Sequence, residues 1–96
     1  MAKGYWIAFY RSVSNPAALA EYAKLASPAI QAGGGRFLAR GTPTRTYEAG
    51  LDQRTVVIEF DSVQSAIATY EGPAYQAASK VLKGAAERDL RIMEGS

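Results

Sequence analysis

The sequence predicts an α+β fold in the order β-α-β-β-α-β, with a four-stranded antiparallel sheet and the helices on one face. Three observations predict it. Aromatic and β-branched runs recur at residues 5–13, 36–40, 54–60 and 88–94. Stretches with apolar residues at helical spacing separate the first run from the second and the third from the fourth. The second and third runs are joined only by a polar, turn-rich connection, as a hairpin requires.

Each element has its own local reason. Tyr5-Trp6-Ile7-Ala8-Phe9-Tyr10 is apolar on both alternating faces, which suits a central strand covered on both sides. Asn15-Pro16 supplies an N-cap and a proline at the first helical position. Leu19, Tyr22, Ala23, Ala26 and Ile30 then follow at helical spacing, and Pro28 is expected to kink or restart the helix near Ser27. Gly33-Gly34-Gly35 ends it. Arg36 to Arg40 is a short second strand. The connection from Gly41 to Gln53 is punctuated by Pro43, Gly50 and Asp52. Thr55-Val56-Val57-Ile58 is the β-branched heart of the third strand. Asp61 or Ser62 caps a helix carrying Val63, Ala66, Ile67 and Tyr70, which Glu71-Gly72-Pro73 interrupts. A second helical piece runs from about Pro73 to Leu82, and Arg88 to Glu94 is the last strand. This is the ferredoxin-like split βαβ pattern, with the first and third strands in the middle of the sheet. Its 96 residues make a single domain, 1–96.

Composition narrows the chemistry. The chain has no histidine and no cysteine, so it offers no Cys/His zinc site, no cysteine nucleophile and no imidazole base. No close Asp pair suggests a magnesium site, so no metal and no cofactor is expected. The triglycine follows a helix and enters a strand, the reverse of a nucleotide-binding loop, and lacks the P-loop Lys-Ser/Thr. Seven arginines and four lysines against nine acids give a net charge of +2, spread along the chain without a basic run. That argues against a nucleic-acid role. No stretch approaches a transmembrane helix and the N-terminus lacks a signal-peptide pattern, so the expectation is a cytoplasmic protein without membrane contact.

The face of the sheet without helices is the informative one. Alternation places Val56, Ile58 and Phe60 toward the helices, with Val57 and Glu59 outside. Matching strands puts Phe37 and Ala39 inside and Arg36, Leu38 and Arg40 outside. Ile7 and Phe9 are assigned inside, leaving Trp6, Ala8 and Tyr10 outside; Leu90 and Ile92 go in, and Arg91 and Met93 go out. Trp6, Tyr10, Leu38, Val57 and Met93 then form an apolar patch larger than monomers commonly expose, which predicts a homodimer through this face. Glu59 has Arg36 nearly opposite, with Arg40 farther along. It either fixes register as an ion pair or joins Arg40 in lining a pocket, where arginine holds an anion and Glu59 acts as a base. Tyr70 and Tyr75 flank the Gly72-Pro73 break. They either pack helix on sheet or point a phenol into a pocket, with Glu59 or Glu94 as proton acceptor.

Five segments carry a resemblance: Gly4-Tyr5-Trp6-Ile7-Ala8, Gly34-Gly35-Arg36-Phe37-Leu38-Ala39-Arg40-Gly41, Val57-Ile58-Glu59-Phe60-Asp61-Ser62, Tyr70-Glu71-Gly72-Pro73-Ala74-Tyr75-Gln76 and Ile92-Met93-Glu94-Gly95. Together they resemble the bacterial family called domain of unknown function thirteen-thirty, one of the dimeric α/β-barrel families. The resemblance implies a small homodimer of unassigned activity, with Arg40, Glu59, Tyr70, Tyr75 and Glu94 at positions where the family carries those residue types. It departs at Thr42, where the family has glycine, at Gly72, where it often has serine, and late in the second helix, where Lys80 or Lys83 replaces an arginine. The function expected is binding of a small polar or anionic organic molecule between sheet and helices, through Arg40, Glu59, Tyr70 and Tyr75. The alternative is a cofactor-independent enzyme, isomerase- or monooxygenase-like, using Arg40, Glu59 and a tyrosine.

Overall fold

The computed structural model describes residues 2–96. Its elements are β1 (Gly4–Val13), α1 (Pro16–Ala32), β2 (Arg36–Gly41), β3 (Thr55–Phe60), α2 (Val63–Glu71), α3 (Pro73–Leu82) and β4 (Ala86–Glu94). The sheet order is β2-β3-β1-β4, and every neighbouring pair is antiparallel. This is the expected ferredoxin-like arrangement, with β1 and β3 central.

The helix ends follow their sequence signals. Asn15 Oδ1 accepts from the Ala18 N–H at 3.2 Å, and Pro16 opens α1. Gly34 turns the chain out of the helix at φ +94°, a left-handed conformation that suits glycine. Ser62 Oγ caps α2 by accepting from the Ser65 N–H at 3.1 Å. Extended backbone at Gly72 separates α2 from α3, which Pro73 opens. Pro28 does not restart α1, which runs unbroken through it to Ala32. The core lies between sheet and helices: Tyr22, Ala26 and Ile30 from α1, Ala66 from α2, and Tyr75, Ala78 and Leu82 from α3 pack on Val56, Ile58 and Phe60 of β3.

The structure corrects the sequence assignment of β1. Trp6, Ala8 and Tyr10 face the helices, and Trp6 and Tyr10 are only 1% and 2% exposed. Ile7 and Phe9 take the open face. Register is the reason: Trp6 sits opposite Ile58 and Ile92, whereas Ile7 sits opposite Val57 and Arg91. Residues opposite one another across a ladder share a face. Gly4 fixes the same phase from the other end of the strand. A Cβ there would lie 2.5 Å from the Ser62 carbonyl oxygen, so only glycine lets the start of α2 come this close. Trp6 then stacks on Phe60 at 6.1 Å between ring centroids and meets the Tyr75 ring edge-on at 4.7 Å. Trp6 and Tyr10 therefore belong to the protomer's own core, not to a surface that a second chain could cover.

A second correction concerns β2. Phe37 pairs with Ile58 but Ala39 pairs with Val57, so Leu38 is an extra residue at a β-bulge. The bulge reverses the alternation beyond it. Ala39 moves to the open face and Arg40, opposite Val56, moves to the helix side. Leu38 remains exposed, at 55%.

Candidate functional site

The two corrections bring together side chains that the sequence had set apart. Tyr10 in β1 is flanked by Arg88 on β4, its register partner, and by Arg54 at the entrance to β3, whose carbonyl accepts from the Tyr10 N–H at 2.9 Å. Arg40 enters from β2 through the bulge. From α1 come Tyr22, Ala23, Ala26, Ser27 and Ile30. These groups line one small cavity between sheet and α1, about 30 Å³ in volume, with Trp6, Ala8, Phe37, Val56 and Ile58 as its apolar walls. That is room for about one ordered water. Alanine at positions 8, 23 and 26 is what leaves space in an otherwise close-packed layer.

Arg88 Nη1 donates to the hydroxyls of Tyr22 and Tyr75, each at 3.1 Å, and these hydroxyls lie 2.7 Å apart. The Arg88 guanidinium also lies over the Tyr10 and Tyr22 rings, at 5.7 and 5.1 Å from their centroids. Arg40 stacks on Phe37 at 4.3 Å and donates to Ser27 Oγ at 3.2 Å, which holds its side chain against α1. Arg54 Nε is buried and has no hydrogen-bond partner. None of these three arginines forms an ion pair among the described residues, and no carboxylate lines the cavity. The cavity is cationic without an internal counter-charge. Burial pushes the Tyr22 hydroxyl far above the ordinary phenol range, reinforced by its neighbour Tyr75. Burial also raises Tyr10 and Tyr75. All three are neutral hydrogen-bond donors at physiological pH, not bases.

The remaining predicted residues fall in different places. Glu59 lies on the open sheet face, across the sheet from Arg40. It accepts from Arg36 Nη2 at 2.9 Å, Arg36 Nε at 3.1 Å and the Tyr5 hydroxyl at 3.2 Å, with Lys3 Nζ at 3.9 Å. The Arg36 hydrogen bonds hold its carboxyl below the usual range against the opposing effect of desolvation, with Lys3 and Tyr5 assisting. Arg40 and Glu59 therefore do not share a site within one chain. Tyr70 packs edge-on against Trp6 at 5.5 Å and lies 5.1 Å from the Tyr75 ring. Tyr75 is fully buried and reaches the cavity's polar network through its hydroxyl. Glu94 is exposed where β4 ends, opposite Gly4, away from the cavity. Of the residues expected to bind a ligand, the structure brings Arg40 and Tyr75 to the cavity and its network. It adds Arg54, Arg88, Tyr22 and Tyr10. No group of three His, Cys, Asp or Glu side chains is placed to hold a metal among the described residues.

Residues 3–96 match the family described as "Domain of unknown function (DUF1330)". No curated protein matches the sequence. Among solved structures, the chain is similar to a protein of unknown function from Rhodopseudomonas palustris, at 18% identity and TM-score 0.69, covering 97% of this chain and 80% of that one. It is similar to a dimeric ferredoxin-like protein of unknown function from Thermobifida fusca, at 20% identity and TM-score 0.67, covering 96% and 90%. A cofactor-independent oxygenase from Streptomyces nogalater is similar at 11% identity and TM-score 0.58, covering 96% and 89%. At these identities the likeness is one of fold. No described helix is long and apolar enough to cross a membrane.

Proposed function

The chain belongs to the domain of unknown function (DUF1330) family, and on that premise we propose that it is a homodimeric binding protein for a small polar or anionic organic molecule. The observation that carries this is the inner cavity. Three arginines meet there without a carboxylate, and one has a buried N–H with nothing to donate to. An unpaired buried donor costs about 1–3 kcal/mol. Native folds keep few such groups, and this one calls for an acceptor that the chain itself does not supply. The cavity has room for about one water, so an organic molecule needs side chains to move, and Arg40, exposed and held only by Phe37 and Ser27, is the one we propose gives way. The enzyme alternative is less well supported, because neither proton acceptor lies at the cavity: Glu59 is on the other face of the sheet, paired with Arg36, and Glu94 is at the exposed end of β4.

Trp6, the only tryptophan, lines the cavity and gives a direct readout. Millimolar phenol, acetate, butyrate and benzoate, with the neutral amides of the three acids, are the first probes. At least one should shift Trp6 emission and raise the melting temperature together, since a ligand at a hundred times its Kd adds about 2.7 kcal/mol of stability. If none of them changes either signal, the cavity is packing and the proposal is wrong.

A further inference from the structure

Counting protons in the cavity sharpens the chemistry of the ligand. Tyr22 and Tyr75 hold two hydroxyl protons between them, and their 2.7 Å contact uses one. Both oxygens already accept from Arg88. If Tyr22 donated to Tyr75, the Tyr75 proton would be left without an acceptor in a fully buried ring. The geometry allows either hydroxyl to be the donor, and with Tyr75 donating the Tyr22 hydroxyl proton is free for a ligand in the cavity that Tyr22 lines. Arg54 Nε–H is a second unanswered donor. Arg40 and Arg88 bring only further donors. Of the hydroxyl oxygens at the cavity, that of Ser27 is engaged by Arg40 and that of Tyr22 by Arg88, which leaves that of Tyr10.

The polar groups are also polarised in space. Arg54, Tyr10 and Arg88 form one cross-strand row at one end of the sheet, and Arg40 stands opposite Val56 in the next row. Ile58 and Trp6, with Ile30 above them, close the other end. A neutral amide or alcohol would bring no negative charge to three arginines that have no carboxylate beside them at the cavity. A bare inorganic anion would leave the apolar end without a partner.

Resting on the binding function proposed above, we infer that the ligand is a carboxylate with an apolar body. Its carboxylate takes hydrogen bonds from the Tyr22 hydroxyl and Arg54, and its body lies toward Trp6 and Ile58. A carboxylate only accepts, and guanidinium forks match its geometry.

Trp6 fluorescence titrations of the intact chain distinguish the outcomes. The probes are benzoate against benzamide, butyrate against butyramide, and inorganic phosphate. Each carboxylate is expected to bind at least tenfold more tightly than its amide, and benzoate more tightly than phosphate. Arg54→Gln should weaken benzoate at least tenfold and leave benzamide unchanged, while Arg54→Lys should restore part of the loss. Circular dichroism identifies a variant that fails to fold, in which case Tyr22→Phe makes the same comparison. Amides binding as tightly as carboxylates would overturn the inference and leave the binding function standing. Phosphate matching benzoate would overturn the apolar body. No probe binding at all would remove both.

Discussion

Glu59 and Asp89 lie on the open sheet face, each held by an arginine. Arg36 grips Glu59 through two nitrogens and also reaches Asp61 Oδ1 at 3.1 Å, while Arg91 makes bonds of 3.1 and 2.8 Å to the two oxygens of Asp89. Hydrogen bonding from these arginines lowers both carboxyl pKa values in the folded chain. Unfolding would return them to about 4. The unfolded chain therefore binds more protons as the solution is acidified. The stability from these pairs is fully present above the unfolded pKa and is lost as pH falls through the lower folded values. Urea unfolding between pH 6 and 3 should show that loss. Glu59→Gln should be less stable than the parent at pH 7 and lose less on acidification. An unchanged acid limb in Glu59→Gln would mean that Arg36 and Glu59 contribute nothing to the fold. The cavity tyrosines have the opposite sign, because their raised pKa values favour the folded state until alkaline pH. At this scale part of the site was legible. Arg54 alternates in phase with Val56, Ile58 and Phe60, and Arg88 with Leu90 and Ile92, so each puts a charge on the buried face of its strand. Tyr22 gave no such signal, since an aromatic at helical spacing reads as core.

Strand phase is where sequence reading failed, for two physical reasons. β1 is apolar at six consecutive positions, 5–10, so hydrophobic alternation carries no information about which side faces the helices. The bulge at Leu38 has no composition signature, yet one extra residue reverses every side chain beyond it and carries Arg40 from the open face into the cavity. Element order, sheet order and helix caps survived because they rest on local signals, namely Asn15-Pro16, Ser62, Gly72-Pro73 and the triglycine. Gly4 is the small residue that specifies the phase of β1, so it should tolerate substitution poorly. An added methyl would meet backbone atoms of Ser62 and Val63 at 2.5 to 2.7 Å, and backbone cannot rotate away as a side chain can. Gly4→Ala is expected to cost about 2 kcal/mol or more, in the range of overpacked cores. Gly34→Ala instead meets no atom within 4 Å and is disfavoured only by its left-handed φ. It should cost about 1 kcal/mol. Denaturant midpoints of the two variants test the order; Gly4→Ala matching the parent would mean that α2 is not seated on β1 as described.

The molecule is a slab of 36 × 32 × 16 Å, with helices on one broad side and bare sheet on the other. On the bare side Tyr5, Ile7 and Phe9 of β1 adjoin Val57 of β3 and Met93 of β4, with Phe9 and Met93 40% and 53% exposed. Removing Trp6 and Tyr10 from this face does not make it polar, because their places are taken by Tyr5, Ile7 and Phe9. Its charges are already matched within the chain, as Arg36 with Glu59 and Arg91 with Asp89. A second copy would cover pairs and not lone charges, which removes the main penalty of burying them. A two-fold pairing of the two open faces is self-complementary and closed. Light scattering at micromolar concentration should give twice the chain mass of 10.3 kDa. Ile7→Glu, placed opposite Val57 and Arg91 at the centre of the face, should give a folded monomer by circular dichroism, because Ile7 lies outside the protomer's core. Trp6→Ala should instead unfold the protomer, at a cost of about 3–5 kcal/mol. A parent chain that stays monomeric would sink the dimer. A dimer unchanged by Ile7→Glu would place the contact on another surface.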